Sequence, residues 1–456
     1  MTSENTTAFP KDFVWGTAAA SYQIEGAARE DGRGLSVWDT FCKQPGKIFS
    51  NNTGDKACDH YHKYEEDCRL MAQIGIKAYR LSISWPRVLP DGIGKVNNKG
   101  LDFYDRLIDK LLEYKIQPWV TLFHWDYPQS LFDRGGWLNP TSSDWFAEYT
   151  QVIVDKLSNR VGKWITLNEP QCFIDFGHRT GYHAPGLKLD WPDILTAAHN
   201  CLLAHGKAVQ TIRSNAKTKP YIGTAFVGLV AIPLNETFTD IKVCSKLTFS
   251  VFEKSLMNNA WFCDPIMLGQ YPADGIKLFG KDMPKFKDED LKTIAQPLDF
   301  FGLNIYRGWT AKASILKGAE LIQYPDGHPL TSMDWEVTPA ALYWGPKFFY
   351  ERYKLPIIIT ENGMANCDWV HLDGKVHDPQ RIDFLSRYLS QLKRAINEGI
   401  ICRGYFLWTI MDNFEWAYGY GKRFGIIYTD YSSQQRTLKD SAYWYKDIIV
   451  SNGKNL

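Results

Sequence analysis

Two glutamates stand where a β-rich run meets a chain-breaker. One run reads Lys163-Trp164-Ile165-Thr166-Leu167-Asn168-Glu169-Pro170, the other Leu355-Pro356-Ile357-Ile358-Ile359-Thr360-Glu361-Asn362-Gly363. A carboxylate at the end of a buried strand does little for a core and is well placed to line a site. Two of them, brought together by a fold, can act as acid and nucleophile, the pair that glycosidic bond cleavage uses. Other chemically useful side chains fall at similar places. Gln23 and Glu25 follow the run Val14–Ala18, and Arg80 lies in Ala78–Ser82. His124-Trp125-Asp126 follows Trp119–Phe123, and Asn304 and Tyr306 fall at the end of Phe300–Ile305. Trp408 closes Gly404–Trp408, with Glu415-Trp416 just beyond. One Asn or His at a strand end is commonly structural. Their concurrence on one face is hard to explain by packing.

The elements that would position them recur along the chain. The runs Val14–Ala18, Ala78–Ser82, Trp119–Phe123, Trp164–Asn168, Tyr221–Ala225, Phe300–Ile305, Ile357–Thr360 and Gly404–Trp408 read as strands. Helical spacing lies between them, in Tyr61–Gly75, in Gly100–Tyr114, and in Pro379–Glu398 with Ile382, Leu385, Leu389, Leu392 and Ile396. Such alternation predicts the α/β class, a single (β/α)8 barrel domain over residues 1–456 whose strand ends converge on one face. The competing architecture is a doubly wound open sheet, against which no G-x-G-x-x-G or P-loop follows the first strand. Residues 306–343 are weakly periodic and read as an elaborated loop at the barrel mouth.

Composition narrows the partners. Lys and Arg number 52 against 51 Asp and Glu, so no charge excess points to nucleic acid or an anionic membrane. No run of apolar residues is long enough for a membrane span. Met1–Lys11 is polar, without the apolar core of a secretory signal. The nine cysteines are scattered and odd in number, which reads as reduced thiols in a cytoplasmic protein. Any one of the 17 Trp, 24 Tyr and 25 Phe is more commonly a core residue, but aromatic faces suit the C–H faces of sugars, a reading that fits those inside the motifs.

The chain resembles glycoside hydrolase family 1, the β-glucosidase family, along essentially its whole length. Phe13-Val14-Trp15-Gly16-Thr17-Ala18-Ala19-Ala20-Ser21-Tyr22-Gln23-Ile24-Glu25-Gly26 is similar to that family's amino-terminal signature. Thr166-Leu167-Asn168-Glu169-Pro170 resembles its acid/base motif, Ile359-Thr360-Glu361-Asn362-Gly363 its nucleophile motif, and Asn413-Phe414-Glu415-Trp416 its closing segment. The resemblance implies one (β/α)8 barrel that hydrolyses β-D-glucosides with retention, with β-galactosides and β-fucosides open as further substrates. Glu361 would attack the anomeric carbon and Glu169 would protonate the departing oxygen, the two carboxyls roughly 5–5.5 Å apart. Arg80 and Tyr306 would keep Glu361 ionised, and Asn168 would hold the 2-hydroxyl. Gln23, His124, Glu415 and Trp416 match the ring-hydroxyl ligands, Trp125 and Asn304 line the same pocket, and Trp408 matches the platform under the sugar. No cofactor or metal is expected. The partners are small β-glucosides or short β-linked oligosaccharides.

Some residues depart from the family pattern. Gln171 stands where an aromatic residue usually follows the acid/base motif, a position expected to border the leaving-group site. Asn304-Ile305-Tyr306 keeps the functional tyrosine but not a second one. Glu415 and Phe424 replace the Ser and Tyr of the phospho-sugar branch, although Lys422 is present, so a phospho-glycosidase is rejected. The run Asp59-His60-Tyr61-His62 with Glu65, Glu66 and Asp67 could suggest a metal site but reads as a polar helix start. Two rivals remain. A transglycosidase would use the same residues, and a non-catalytic sugar-binding barrel should have lost one of the two glutamates.

Overall fold

The computed structural model describes residues 8–456; the first seven, which belong to the segment Met1–Lys11, lie outside the described residues. Eight parallel strands close a barrel: β1 (Val14–Ala18), β2 (Ala78–Ser82), β3 (Gln117–Phe123), β4 (Lys163–Asn168), β5 (Tyr221–Val227), β6 (Phe301–Asn304), β7 (Ile357–Asn362) and β8 (Cys402–Trp408). Each pairs with its neighbour in sequence, and β1 pairs with β8 through Val14–Gly404 to Ala18–Trp408. The strands are buried almost end to end, as a sheet covered on both faces requires. The open doubly wound sheet is thereby excluded.

Helices surround the barrel where the spacing of apolar residues predicts them. His60–Ile74 stops at Gly75, whose φ of 87° is a left-handed conformation that glycine adopts without cost. Asn98–Glu113 buries Leu101, Phe103, Tyr104, Leu107, Ile108 and Leu111 on one face. Pro379–Asn397 begins on its proline, whose missing N–H would have had no helical partner there. Among the described residues no helix is long and apolar enough to cross a membrane.

Side chains alternate across a strand, so residues two apart share a face. Trp119 therefore lies one layer below Thr121, and Phe406 one layer below Trp408. Their rings meet at 5.0 Å and, with Phe300 at 5.4 Å from Trp119, plug the barrel beneath the strand ends. Gly363 lets the chain leave β7 at that level. A Cβ there would lie 1.8 Å from the Trp408 carbonyl oxygen, so the backbones could not pass so closely with any side chain present.

One expectation needs correction. Residues 306–343 are not one loop. Gly308–Ser314 and Gly318–Leu321 form a hairpin, joined by Val230–Pro233 into a three-stranded sheet, and a helix begins at Ala341. That pairing is made with residues far away in sequence, which local periodicity does not register. The acidic His60 region is a helix start, as expected, but one of its carboxylates turns inward. Asp67 is fully buried and accepts from His60 Nδ1 at 2.7 Å and Arg436 Nε at 2.9 Å, tying this helix to the strand Arg436–Leu438.

A second buried ion cluster fixes the segment after β8. Asp412 accepts from Arg423 and Lys439, each at 2.7 Å, and from the Gly425 amide at 3.0 Å. Lys439 also reaches Asp368, which Arg381 holds at 2.7 Å. Lys439, Asp412 and Asp368 are all buried. Removing one partner of such a cluster leaves charge stranded, at a cost of about 3–5 kcal/mol. Lys439→Ala should therefore lower the denaturant midpoint by an amount equal to about 3 kcal/mol or more. An unchanged midpoint would show that the cluster contributes no net stability.

Candidate active site

The carboxyl ends of the strands form a cavity of about 310 Å³. His124, Trp125, Glu169, Asn304, Tyr306, Glu361, Trp408, Glu415 and Trp416 line it. Gln23, Arg80 and Asn168 are buried directly beneath that lining, in hydrogen-bond contact with it. The structure thus brings together every site residue expected from the sequence. Glu25, the other strand-end carboxylate, points elsewhere, accepting from Arg87 at 2.8 Å and the Tyr104 hydroxyl at 2.6 Å.

Arg80 organises the floor. Its guanidinium, 1 % exposed, donates to Glu361 Oε1 and to Asn168 Oδ1, both at 2.6 Å. Thr121 Oγ1 and the Thr360 carbonyl take two further bonds at 3.1 Å. One side chain therefore bridges β2, β3, β4 and β7. The Tyr306 hydroxyl donates to the other oxygen of Glu361 at 2.7 Å. Asn304, whose own carbonyl oxygen is fixed by Thr360, donates to Glu169 Oε1 at 2.8 Å. The Cys172 thiol, one turn beyond, donates to Glu169 Oε2 at 3.2 Å. Asn168 completes the chain of contacts by donating its amide to His124 Nε2 at 3.0 Å.

These partners divide charge between the glutamates. Burial, then the charge of Glu361, push Glu169 up to about 7, against the pull of Asn304, Cys172 and Arg80. Burial raises Glu361 as well, but Arg80 and Tyr306 both bond directly to its ionised form. Glu169 has no cation in contact, so the pair's proton rests there. Burial is thus the larger cause of the raised Glu169, ahead of the charge of Glu361. Glu415 is pushed up to about 8 by burial and by the charges of Glu361 and Glu169. Burial holds His124 far below its usual range, so its ring is neutral.

The aromatic residues form a second wall. Trp125 and Trp416 lie 4.6 Å apart, and His124 stacks on Trp408 at 5.7 Å. The Trp125 indole donates to the Asn168 carbonyl at 2.9 Å. Gln23 donates to the Phe414 carbonyl at 2.9 Å and to Glu415 at 3.3 Å, which places the loop after β8 against the turn after β1. Glu169, Trp125 and Trp416 all hold positive φ, at 49°, 79° and 49°. Such conformations cost a non-glycine residue about 1–3 kcal/mol each and cluster at sites where direction matters more than stability.

Gln171 corrects an expectation. Its side chain is fully buried, donates to the Val227 carbonyl at 3.4 Å and does not line the cavity. Cys172 lines it instead, because the chain turns at Glu169 into a wide helical segment, Cys172–Thr180. The contact of Cys172 with Glu169 was not foreseen. Its three-residue offset at a helix start was the signal available. Met257, Met333 and Trp335 also line the cavity and carry no motif. Among the described residues no group of three or more His, Cys, Asp or Glu side chains could hold a metal ion.

The sequence profile of glycosyl hydrolase family 1 matches residues 5–454. The chain is 45 % identical to β-glucosidase A of Thermotoga maritima over 98 % of its own length and 99 % of the relative's. It is 45 % identical to a 1,4-β-D-glucan glucohydrolase of Thermotoga neapolitana, over 98 % of this chain and 99 % of that one. A bifunctional β-D-glucosidase/β-D-fucosidase of Bifidobacterium breve is 42 % identical, with the same two coverages. Among solved structures, a Thermotoga maritima β-glucosidase in complex with glucoimidazole superposes with a TM-score of 0.90 at 44 % identity, over 98 % of this chain and 100 % of that chain.

A process that needs Glu169 protonated should fail as pH rises through its pKa near 7. Cys172→Ala removes a donor that favours the ionised form, so the alkaline limb of kcat/KM should move to higher pH. Removing the Glu361 charge should move the Glu169 titration, followed by carbon NMR of the carboxyl, to lower pH. Shifts of opposite sign would invert the assignment of charge between the two glutamates.

Proposed function

Because the chain belongs to glycosyl hydrolase family 1, we propose that its retaining β-glucosidase activity rests on Glu361 as nucleophile and Glu169 as acid/base. The observation that carries this reading is the asymmetry of contacts: Arg80 and Tyr306 on Glu361, an amide and a thiol on Glu169. Glu361, kept ionised, attacks the anomeric carbon of a terminal β-D-glucosyl residue while Glu169 passes its proton to the departing oxygen. The ester that forms removes the charge on Glu361. The Glu169 pKa then falls, and its carboxylate takes a proton from the incoming water.

The other roles follow the same contacts. Asn168, fixed by Arg80 and His124, is placed to hold the 2-hydroxyl, a contact that tightens as positive charge develops on the ring. Gln23, His124, Glu415 and Trp416 take the remaining ring hydroxyls, Trp408 lies beneath the sugar, and Trp125 and Asn304 complete the pocket. One barrel, closed by its first and last strands, serves as the whole catalytic unit. β-Fucosides are favoured as second substrates by the bifunctional relative, and short β-1,4-glucans released in cellulose degradation by the glucohydrolase relatives. All nine cysteines are free and eight are buried, which supports a reducing, cytoplasmic setting.

Hydrolysis of an aryl β-D-glucoside followed by proton NMR should show the β-anomer of glucose first; the α-anomer first would overturn the double displacement. Glu361→Gly should lower kcat by at least 10⁴-fold, on the order of what losing a covalent nucleophile costs. Glu169→Ala should slow poor leaving groups far more than good ones, because only the former need the proton. Equal slowing of both would remove Glu169 from the role of acid.

A further inference from the structure

Two of the expected sugar-binding side chains stand on segments that the barrel itself does not join. Gln23 lies in the turn after β1 and His124 in the segment after β3. Both strands pair with β2 and not with each other. Backbone bonds to the β2 chain run on only as far as Ala19 N–H to the Arg80 carbonyl and the Thr121 carbonyl to Ile83 N–H, both at 3.0 Å. Each of the two side chains also has one polar atom left for a ligand. Gln23 Oε1 has no hydrogen-bond partner among the described residues, while its amide nitrogen is taken by Phe414. His124 Nε2 accepts from Asn168, so the neutral ring offers its Nδ1–H. With one contact each, their spacing matters.

A chain of buried hydroxyls crosses β2 and ties the two segments. Ser82, which ends β2, accepts from the Ser21 N–H at 2.8 Å and donates its hydroxyl to Ser21 Oγ at 3.1 Å. The Ser21 hydroxyl donates onward to Asp126 Oδ2 at 3.0 Å. Ser21 stands two residues before Gln23, and Asp126 two after His124. All three are buried, Asp126 at 0 % exposure. Farther out the same segments pair through their backbones, Val37 N–H to the Tyr127 carbonyl and Gln129 N–H to the Leu35 carbonyl, both at 2.8 Å. That outer pairing keeps the segments together without help from Asp126.

For stability alone Asp126 is a poor choice. Its Oδ1 has no hydrogen-bond partner among the described residues, and the nearby Arg33 is committed to Asp39 at 2.8 Å. Burial pushes the carboxyl up to about 7, ahead of the opposing pull of Arg33. Replacing both partners of such a bond by apolar groups is commonly neutral or stabilising.

We infer that Asp126, acting through Ser21 and Ser82, is a positioning residue for glucosyl binding that sets the spacing of Gln23 and His124. The inference rests on the β-glucosidase reading above, in which those two side chains hold ring hydroxyls.

The test uses 1-deoxynojirimycin, a glucose-shaped inhibitor without a leaving group, and an aryl β-D-glucoside. Ser21→Ala/Asp126→Leu removes both ends of the bond, so its melting temperature should hold or rise. Its Ki for the inhibitor and its KM should nevertheless rise at least about fivefold, the equivalent of one lost hydrogen bond. A loss of this kind leaves kcat within about threefold. The alkaline limb of kcat/KM should not move, because the contacts of Glu169 are untouched. Asp126→Asn keeps an acceptor for Ser21 and should stay within about twofold of the native constants. An unchanged Ki in the double variant, a double variant too unstable to purify, or an Asp126→Asn enzyme as impaired as the double variant would overturn the inference while leaving the β-glucosidase reading intact. A native enzyme that turns over no glucoside would overturn that reading and the inference with it.

Discussion

The buried guanidinium of Arg80 is the constraint from which the site follows. A cation 1 % exposed must find partners for its donors, and a lone charge in such a place would not be tolerated. Its partners come from β3, β4 and β7. The barrel must therefore close with those strand ends at one level, and the Trp119–Phe406 layer beneath sets that level. Core packing and site geometry are thus one requirement, met by the same strands.

One cation among three carboxyls also decides where protons sit. Arg80 lies against Glu361, and Glu169 and Glu415 are left in a buried space that already holds a negative charge. Both are pushed upward, to about 7 and about 8. Burial first, and then the charge that Arg80 stabilises on Glu361, lets Glu169 keep a proton near neutral pH. No special group on Glu169 is needed to raise it. Asn304 and Cys172 work in the other direction, restraining a rise that burial alone would carry further.

The barrel was legible because its signals are local. Short runs rich in β-branched and aromatic residues marked all eight strands, with β1 and β2 placed to the residue and the rest within a few. Motif residues fell in or just after the strands, so Glu169, Glu361, Arg80 and the other expected site residues could be named from the sequence, and the structure brings them to one cavity. What escaped depends on contacts between distant segments. The hairpin within 306–343 is held by Val230–Pro233, and Met257 comes from a segment with no pattern of its own. Gln171 misled for a subtler reason. Its neighbour in sequence lines the cavity, but the left-handed turn at Glu169 rotates the following residues, so that Cys172 faces inward and Gln171 faces Val227.

That turn explains where the Glu169 carboxyl stands in the cavity. A residue continuing β4 in extended form would alternate its side chain out of the barrel or straight up its axis. Glu169 instead takes φ of 49° and donates its N–H to the Ala225 carbonyl of β5 at 2.8 Å, so its carboxyl bends over the floor toward Asn304. The same turn starts the helix that carries Cys172 and Phe176 into the cavity. Backbone strain at one residue thus aims the Glu169 carboxyl and also places Cys172 and Phe176 in the cavity wall. A glycine there would relieve the strain and remove the carboxyl, so the position cannot be optimised for stability without losing that group. The cost is offset by the surrounding network, in which both carboxyl oxygens of Glu169 and its N–H have partners.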